Sequence, residues 1–63
     1  MSDSERQTLR RDLVTAWVRC SESDAREIAG SLGSDQLLIQ QQDMFRIAPV
    51  GMLSFYAPVR VIA

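Results

Sequence analysis

Histidine is absent from this chain, so no imidazole base is available near neutral pH and no Ser-His or Cys-His dyad can be assembled. Cysteine occurs once, as Cys20. That excludes an intramolecular disulfide and, with only scattered carboxylates beside it, leaves no ligand set at zinc spacing. Lysine is missing as well, all seven basic residues being arginine, and the formal net charge is −1. Such a balance creates no overall field toward nucleic acid or an anionic membrane. Long apolar runs are also lacking. The longest uncharged stretch, Ile47 to Val59, is too short for a bilayer and is interrupted by Pro49 and Pro58. Gly30, Gly33 and Gly51 form no phosphate-cradling pattern. The expectation is a non-enzymatic protein with no catalytic, cofactor-binding or metal-ligating residues and no membrane partner.

With 63 residues, the chain is expected to be one small domain, 1–63, burying only about 60% of its unfolded surface. Small domains compensate with disulfides, a metal or an interface. The first two being unavailable, association with another chain is the expected staple. The polar opening MSDSERQTLRRD carries no signal-peptide pattern, and a lone thiol suits a reducing compartment. A cytoplasmic location is therefore expected.

The charge is unevenly placed. Residues 1–43 hold all eight acidic residues and five arginines, whereas 44–63 hold only Arg46 and Arg60 among mostly apolar neighbours. The first part, 4–33, reads as helical. Ser4 with Gln7, or Ser2 with Glu5 one frame earlier, has capping-box spacing. Leu9, Leu13, Ala16, Trp17 and Cys20 then share one helical face, which predicts a first helix over 4–20. Its arginines, Arg6, Arg10, Arg11 and Arg19, alternate with Asp3, Glu5 and Asp12 and read as a solvated mixed face. Ser21 with Asp24 opens a second helix, 22–32, with Ala25, Ile28, Ala29 and Leu32 at amphipathic spacing and Gly33 as a left-handed stop. Leu13, Trp17, Ile28 and Leu32 are the expected contact between the two helices.

Residues 37–63 read as strand-rich. Met44–Ala48 and Leu53–Ala57 are predicted as a hairpin around Pro-Val-Gly-Met, with Gly51 at positive φ and Val59–Ile62 as a further strand. Residues 34–42 fit a short helix or a strand through Leu37–Ile39, the strand being preferred. The expected fold class is α+β: two N-terminal helices packed on a C-terminal antiparallel β-hairpin or three-stranded sheet. Pairing Ala48 with Leu53 places Phe45, Ile47 and Tyr56 on one face and Met44, Leu53, Phe55 and Ala57 on the other. Both faces are then apolar, and two helices cover only one. The alternative is an irregular segment folded over its own core.

The stretch AREIAGSLG, residues 25–33, resembles the first helix and turn of bacterial helix-turn-helix regulators. The resemblance implies a second helix through Leu38 and Ile39, with Gln40, Gln41 and Gln42 reaching base edges and the hairpin acting as a wing. Ser34 stands where that motif buries an aliphatic residue, and no basic residue lies between Gly33 and Phe45 to meet phosphates. The preferred reading is a protein-binding module, a small self-associating adaptor or inhibitor that docks on a larger protein and forms a homodimer. Its expected partner-binding residues are Phe45, Met52, Phe55, Tyr56, Arg46 and Arg60. A winged-helix DNA-binding regulator is second, with nucleic acid as its partner.

Overall fold

A computed structural model describes all 63 residues. The fold is α+β, with three helices and a four-stranded antiparallel sheet. In chain order the elements are α1 (Asp3–Thr15), β1 (Val18–Arg19), α2 (Glu22–Ala29), β2 (Gln36–Gln41), β3 (Met44–Pro49), a 3-10 turn (Val50–Met52), α3 (Leu53–Tyr56) and β4 (Arg60–Val61). The strand order is β1-β3-β2-β4. No helix is long and apolar enough to cross a membrane.

Of the two possible starts for α1, the structure takes the earlier. Ser2 Oγ accepts the Glu5 backbone N–H at 3.2 Å, satisfying one of the orphan donors of the first turn. The helix is shorter than the predicted 4–20. Val14, Thr15 and Val18 bring β-branched side chains together, which lose rotamer freedom in a helix. Thr15 also donates its hydroxyl to the Arg11 carbonyl at 3.1 Å. Ala16 is already extended, at φ −156° and ψ 168°, and Val18 then pairs with Phe45 in the sheet. Helix α2 begins where expected, with Ser21 Oγ accepting the Asp24 N–H at 3.1 Å. Neither Gly33 nor Gly51 takes a positive φ. The Ser21→Ala variant is expected to lose about 1 kcal/mol, a fall of about 4–8 °C in melting temperature for a domain this size. A thermal melt followed by circular dichroism checks it.

The hairpin lies one strand earlier than predicted. Its arms are β2 and β3, paired from Gln36↔Pro49 to Gln41↔Met44. Gln42 and Asp43 form the two-residue connection, with Gln42 at φ 56°, the left-handed region that such tight hairpins need at their first central residue. Within residues 34–42, Gln36–Gln41 therefore form a strand, the preferred reading, flanked by turns. Leu53–Ala57, predicted as a strand, instead forms the short helix α3 after a 3-10 turn. The further strand survives only as Arg60–Val61, paired with β2 at Gln40 and Ile39.

Register separates the two faces of the sheet. Leu38, Phe45 and Ile47 share the face toward the helices and form the main core with Leu13, Ala25 and Ile28. Leu32 packs at the margin of that core, as does Cys20. Leu37, Ile39, Arg46 and Ala48 point the other way, and Ile39 and Ala48 are nonetheless fully buried. The chain itself supplies the cover. After β3 the Val50 N–H donates to the Asp35 carbonyl at 2.8 Å, and the chain then brings the Tyr56 ring against Arg46 on the second face. Trp17, expected between the helices, belongs to this side. The turn from α1 into β1 sends it outward from the main core to meet Tyr56 edge to face, with ring centroids 6.1 Å apart.

Candidate functional site

This second layer removes the reason for a two-fold contact through a bare hairpin face, because the face is closed by residues of the same chain. It also sorts the expected partner-binding residues. Phe45 is core, 2% exposed, and is unavailable to a partner. Arg60 lies on the helix face, donating to Gln40 Oε1 at 3.0 Å and lying 3.6 Å from Glu22 Oε1. Met52 and Phe55 are exposed, Phe55 at 76%. Tyr56 and Arg46 are half-buried and touch each other.

The geometry around Arg46 follows from three separate elements. Strand β3 aims it away from the helices, in register with Ile39. Helix α3 lays the Tyr56 ring over the guanidinium, whose carbon lies 5.1 Å from the ring centroid. Trp17 meets the same Tyr56 ring in a T-shaped pair. A cation over an aromatic face gains from the ring quadrupole, more so when partly desolvated. Yet Arg46 Nε is buried with no hydrogen-bond partner. Its guanidinium is also the one basic group among the seven arginines with neither a carboxylate nor a hydrogen-bond acceptor. In the short run of chain that leads to Tyr56, the side chains of Val50, Met52 and Phe55 are exposed, and Val61 is exposed on the same side of the sheet as Arg46, next to Ile39.

Five of the other arginines make a polar side-chain contact of 3.0 Å or less, while Arg11 lies 3.9 Å from the adjacent Asp12. Arg6 pairs with Glu27 at 2.6 Å and Arg10 donates to Ser31 Oγ at 2.7 Å, so both tie α1 to the end of α2. Arg19 holds Asp43 at 2.9 Å across β1 and the hairpin tip. These contacts are exposed, where ion pairs contribute little to stability.

Cys20 is not at the end of a helix, as its spacing suggested, but immediately before Ser21, the N-cap of α2. A helix N-terminus favours a thiolate, but burial pushes the Cys20 thiol up, and the Asp24 carboxylate adds to the shift. Because the folded chain holds this proton more tightly, the associated stability is complete below the unfolded thiol pKa. It is lost as pH rises through the folded value. From about pH 8.5 upward, unfolding free energy should fall with a slope that Cys20→Ala flattens, as denaturant titrations at several pH values measure.

The helix-turn-helix resemblance at 25–33 does not extend into structure. Its second helix would occupy residues that form β2. Gln40 is committed at both ends of its amide, donating Nε2 to the Gln42 carbonyl and accepting from Arg60. No pocket indents the surface, and no group of three or more metal-ligating side chains converges. The outer strands β1 and β4 are two residues each, too short to offer a long edge of their own.

Compared with family models, curated proteins and solved structures, the chain finds no match in any of the three.

Met52, Phe55, Tyr56 and Arg46 were expected from the sequence as partner-binding residues, whereas Trp17, Val50 and Val61, which the structure adds to this side, were not. Trp17 had a misleading signal, its helical spacing from Leu13. Val50 and Val61 had none, because an exposed valine is recognisable only once the neighbouring chain is placed.

Proposed function

We propose that the protein is a non-enzymatic protein-binding module, an adaptor or inhibitor, that docks through the outer side of residues 50–61. One observation carries this reading: Phe55, a large aromatic residue, stands 76% exposed on a helix whose next residue, Tyr56, is held by Trp17 and Arg46. Single exposed apolar residues are ordinary on any surface. Here Val50, Met52 and Phe55 are exposed within one short segment, and such clustering is a mark of interaction surfaces. The residue types agree, since Trp, Tyr, Phe, Met and Arg are those enriched where proteins meet. A flexible display of the same residues would be costly to order on binding, and packing of Tyr56 against the sheet reduces that cost.

The test is selection of a random-peptide library on the immobilised protein and on its Phe55→Glu variant. Peptides retained by the parent and lost by the variant support docking through this surface. If no Phe55-dependent peptide emerges, or if a concentration series in the ultracentrifuge shows a dimer that buries Phe55, the hetero-docking reading falls.

A further inference from the structure

We infer that the partner segment is an acidic-apolar peptide, whose aspartate or glutamate carboxylate caps Arg46 while its aliphatic or aromatic side chains cover Phe55 and Met52. This rests on the docking reading above and specifies the chemistry of the occupant. Arg46 has an unmet hydrogen-bonding need. Its Nε is buried and unpartnered, and no carboxylate or hydrogen-bond acceptor in the chain serves its terminal nitrogens. Solvent satisfies those nitrogens in the free protein, because the side chain is only half-buried. A partner seated over Phe55 and Tyr56 expels that water. An arginine stripped of water and left unpaired opposes binding strongly, whereas a carboxylate matching the guanidinium fork restores its hydrogen bonds.

Charge placement gives the same answer. Residues 44–63 contain two arginines and no acidic residue. Arg60 is turned to the helix side and engaged by Glu22 and Gln40, so Arg46 is the one uncompensated charge on the apolar surface. The carboxylates flanking the hairpin are otherwise placed. Asp43 is held by Arg19, and Asp35, whose backbone carbonyl anchors Val50, turns its carboxylate toward Gly33. The segment is therefore apolar with one uncompensated positive group, held against Tyr56, and electrostatic complementarity calls for the opposite sign on its occupant. A second copy is a poor candidate. A two-fold contact applies the same patch to itself, and residues 44–63 contain no acidic side chain to pair with the other copy's Arg46.

The library selection supplies the test. Phe55-dependent binders should be enriched in aspartate and glutamate beside aliphatic or aromatic residues. On the unaltered protein, replacing those acids by asparagine and glutamine should weaken binding about thirty-fold or more, the usual effect of removing one partner of a desolvated charge pair. Arg46→Lys should retain part of the preference, and Arg46→Gln should bind the acidic peptide and its amide counterpart equally. Because the peptide substitutions leave the protein untouched, an unfolded Arg46 variant does not spare the proposal. Binders that depend on Phe55 but are neutral or basic, or that tolerate loss of their acids, overturn it while leaving the docking reading intact. Absence of any Phe55-dependent binder overturns both.

Discussion

Ile39→Ala is expected to leave most of the protein unfolded under conditions where the parent is folded. Ile39 is fully buried on the sheet face away from α1 and α2, so its burial depends on the chain that returns after β3. Removing a large aliphatic side chain from a packed site costs about 2–5 kcal/mol, through lost transfer energy and the cavity left behind. A core in a chain this short supplies only about 3–5 kcal/mol in total. Leu38→Ala is the matched control, one residue earlier and facing the helices. Both variants should shift the urea midpoint by comparable amounts. If Leu38→Ala is severe while Ile39→Ala costs less than about 0.5 kcal/mol, in the range of surface substitutions, residues 50–56 do not close the second face in solution. The docking surface would then have to be sought on the sheet itself.

That two-sided burial also explains where the sequence was hard to read. A strand with one wet face alternates apolar and polar residues. Here Leu38 and Ile39 are adjacent and both buried, as are Ile47 and Ala48, so the period of two is lost and only a short apolar run remains. The turn gave no help. Pro-Val-Gly-Met has the residues that tight turns favour, yet the hairpin turns at Gln42–Asp43, where glutamine is held at positive φ by the pairing of the flanking strands. Tertiary register overrode local preference. The helices were more legible because their signals are local: Ser21 capping Asp24, and Ala25 and Ile28 on the buried face, depend on residues three or four apart.

The candidate surface divides the same way. An excess of aromatic and aliphatic residues in a stretch almost without charge was visible, and it pointed to Met52 and Phe55. The meeting of Arg46, Tyr56 and Trp17 was not, since it joins a strand, a short helix and the link after α1. Phe45 was misjudged because residue type alone does not say which side of a strand it occupies. Shifting the hairpin by one strand put it at the centre of the core, opposite Gln40 and Val18.

The neighbours Phe55 and Tyr56 should respond in opposite ways to the same substitution. Phe55 is 76% exposed, so Phe55→Glu removes little buried area and should change stability by no more than about 0.5 kcal/mol. Binding through the surface should suffer far more, by about 2 kcal/mol or beyond, as for aromatic anchors elsewhere. That corresponds to about thirty-fold in affinity. Tyr56→Glu strikes the packing instead. It deletes the ring that meets Trp17 and lies over Arg46, and it exposes the layer above Ile39 and Ala48 to water. A carboxylate beside Arg46 recovers part of the lost cation–π attraction, but it cannot replace the apolar contact of the ring with Trp17. Tyr56→Glu should therefore lose about 1–3 kcal/mol of stability, the span expected when packing and an aromatic pair are removed together. Denaturant titration reads stability, and amide resonances of the two variants show how far any disturbance spreads. With Phe55→Glu, changes should remain near residues 50–56; with Tyr56→Glu, they should reach Trp17, Ile39 and Ala48. If Phe55→Glu is the destabilising member of the pair, α3 is rotated in solution relative to the structure. Tyr56, not Phe55, would then be the residue presented to a partner.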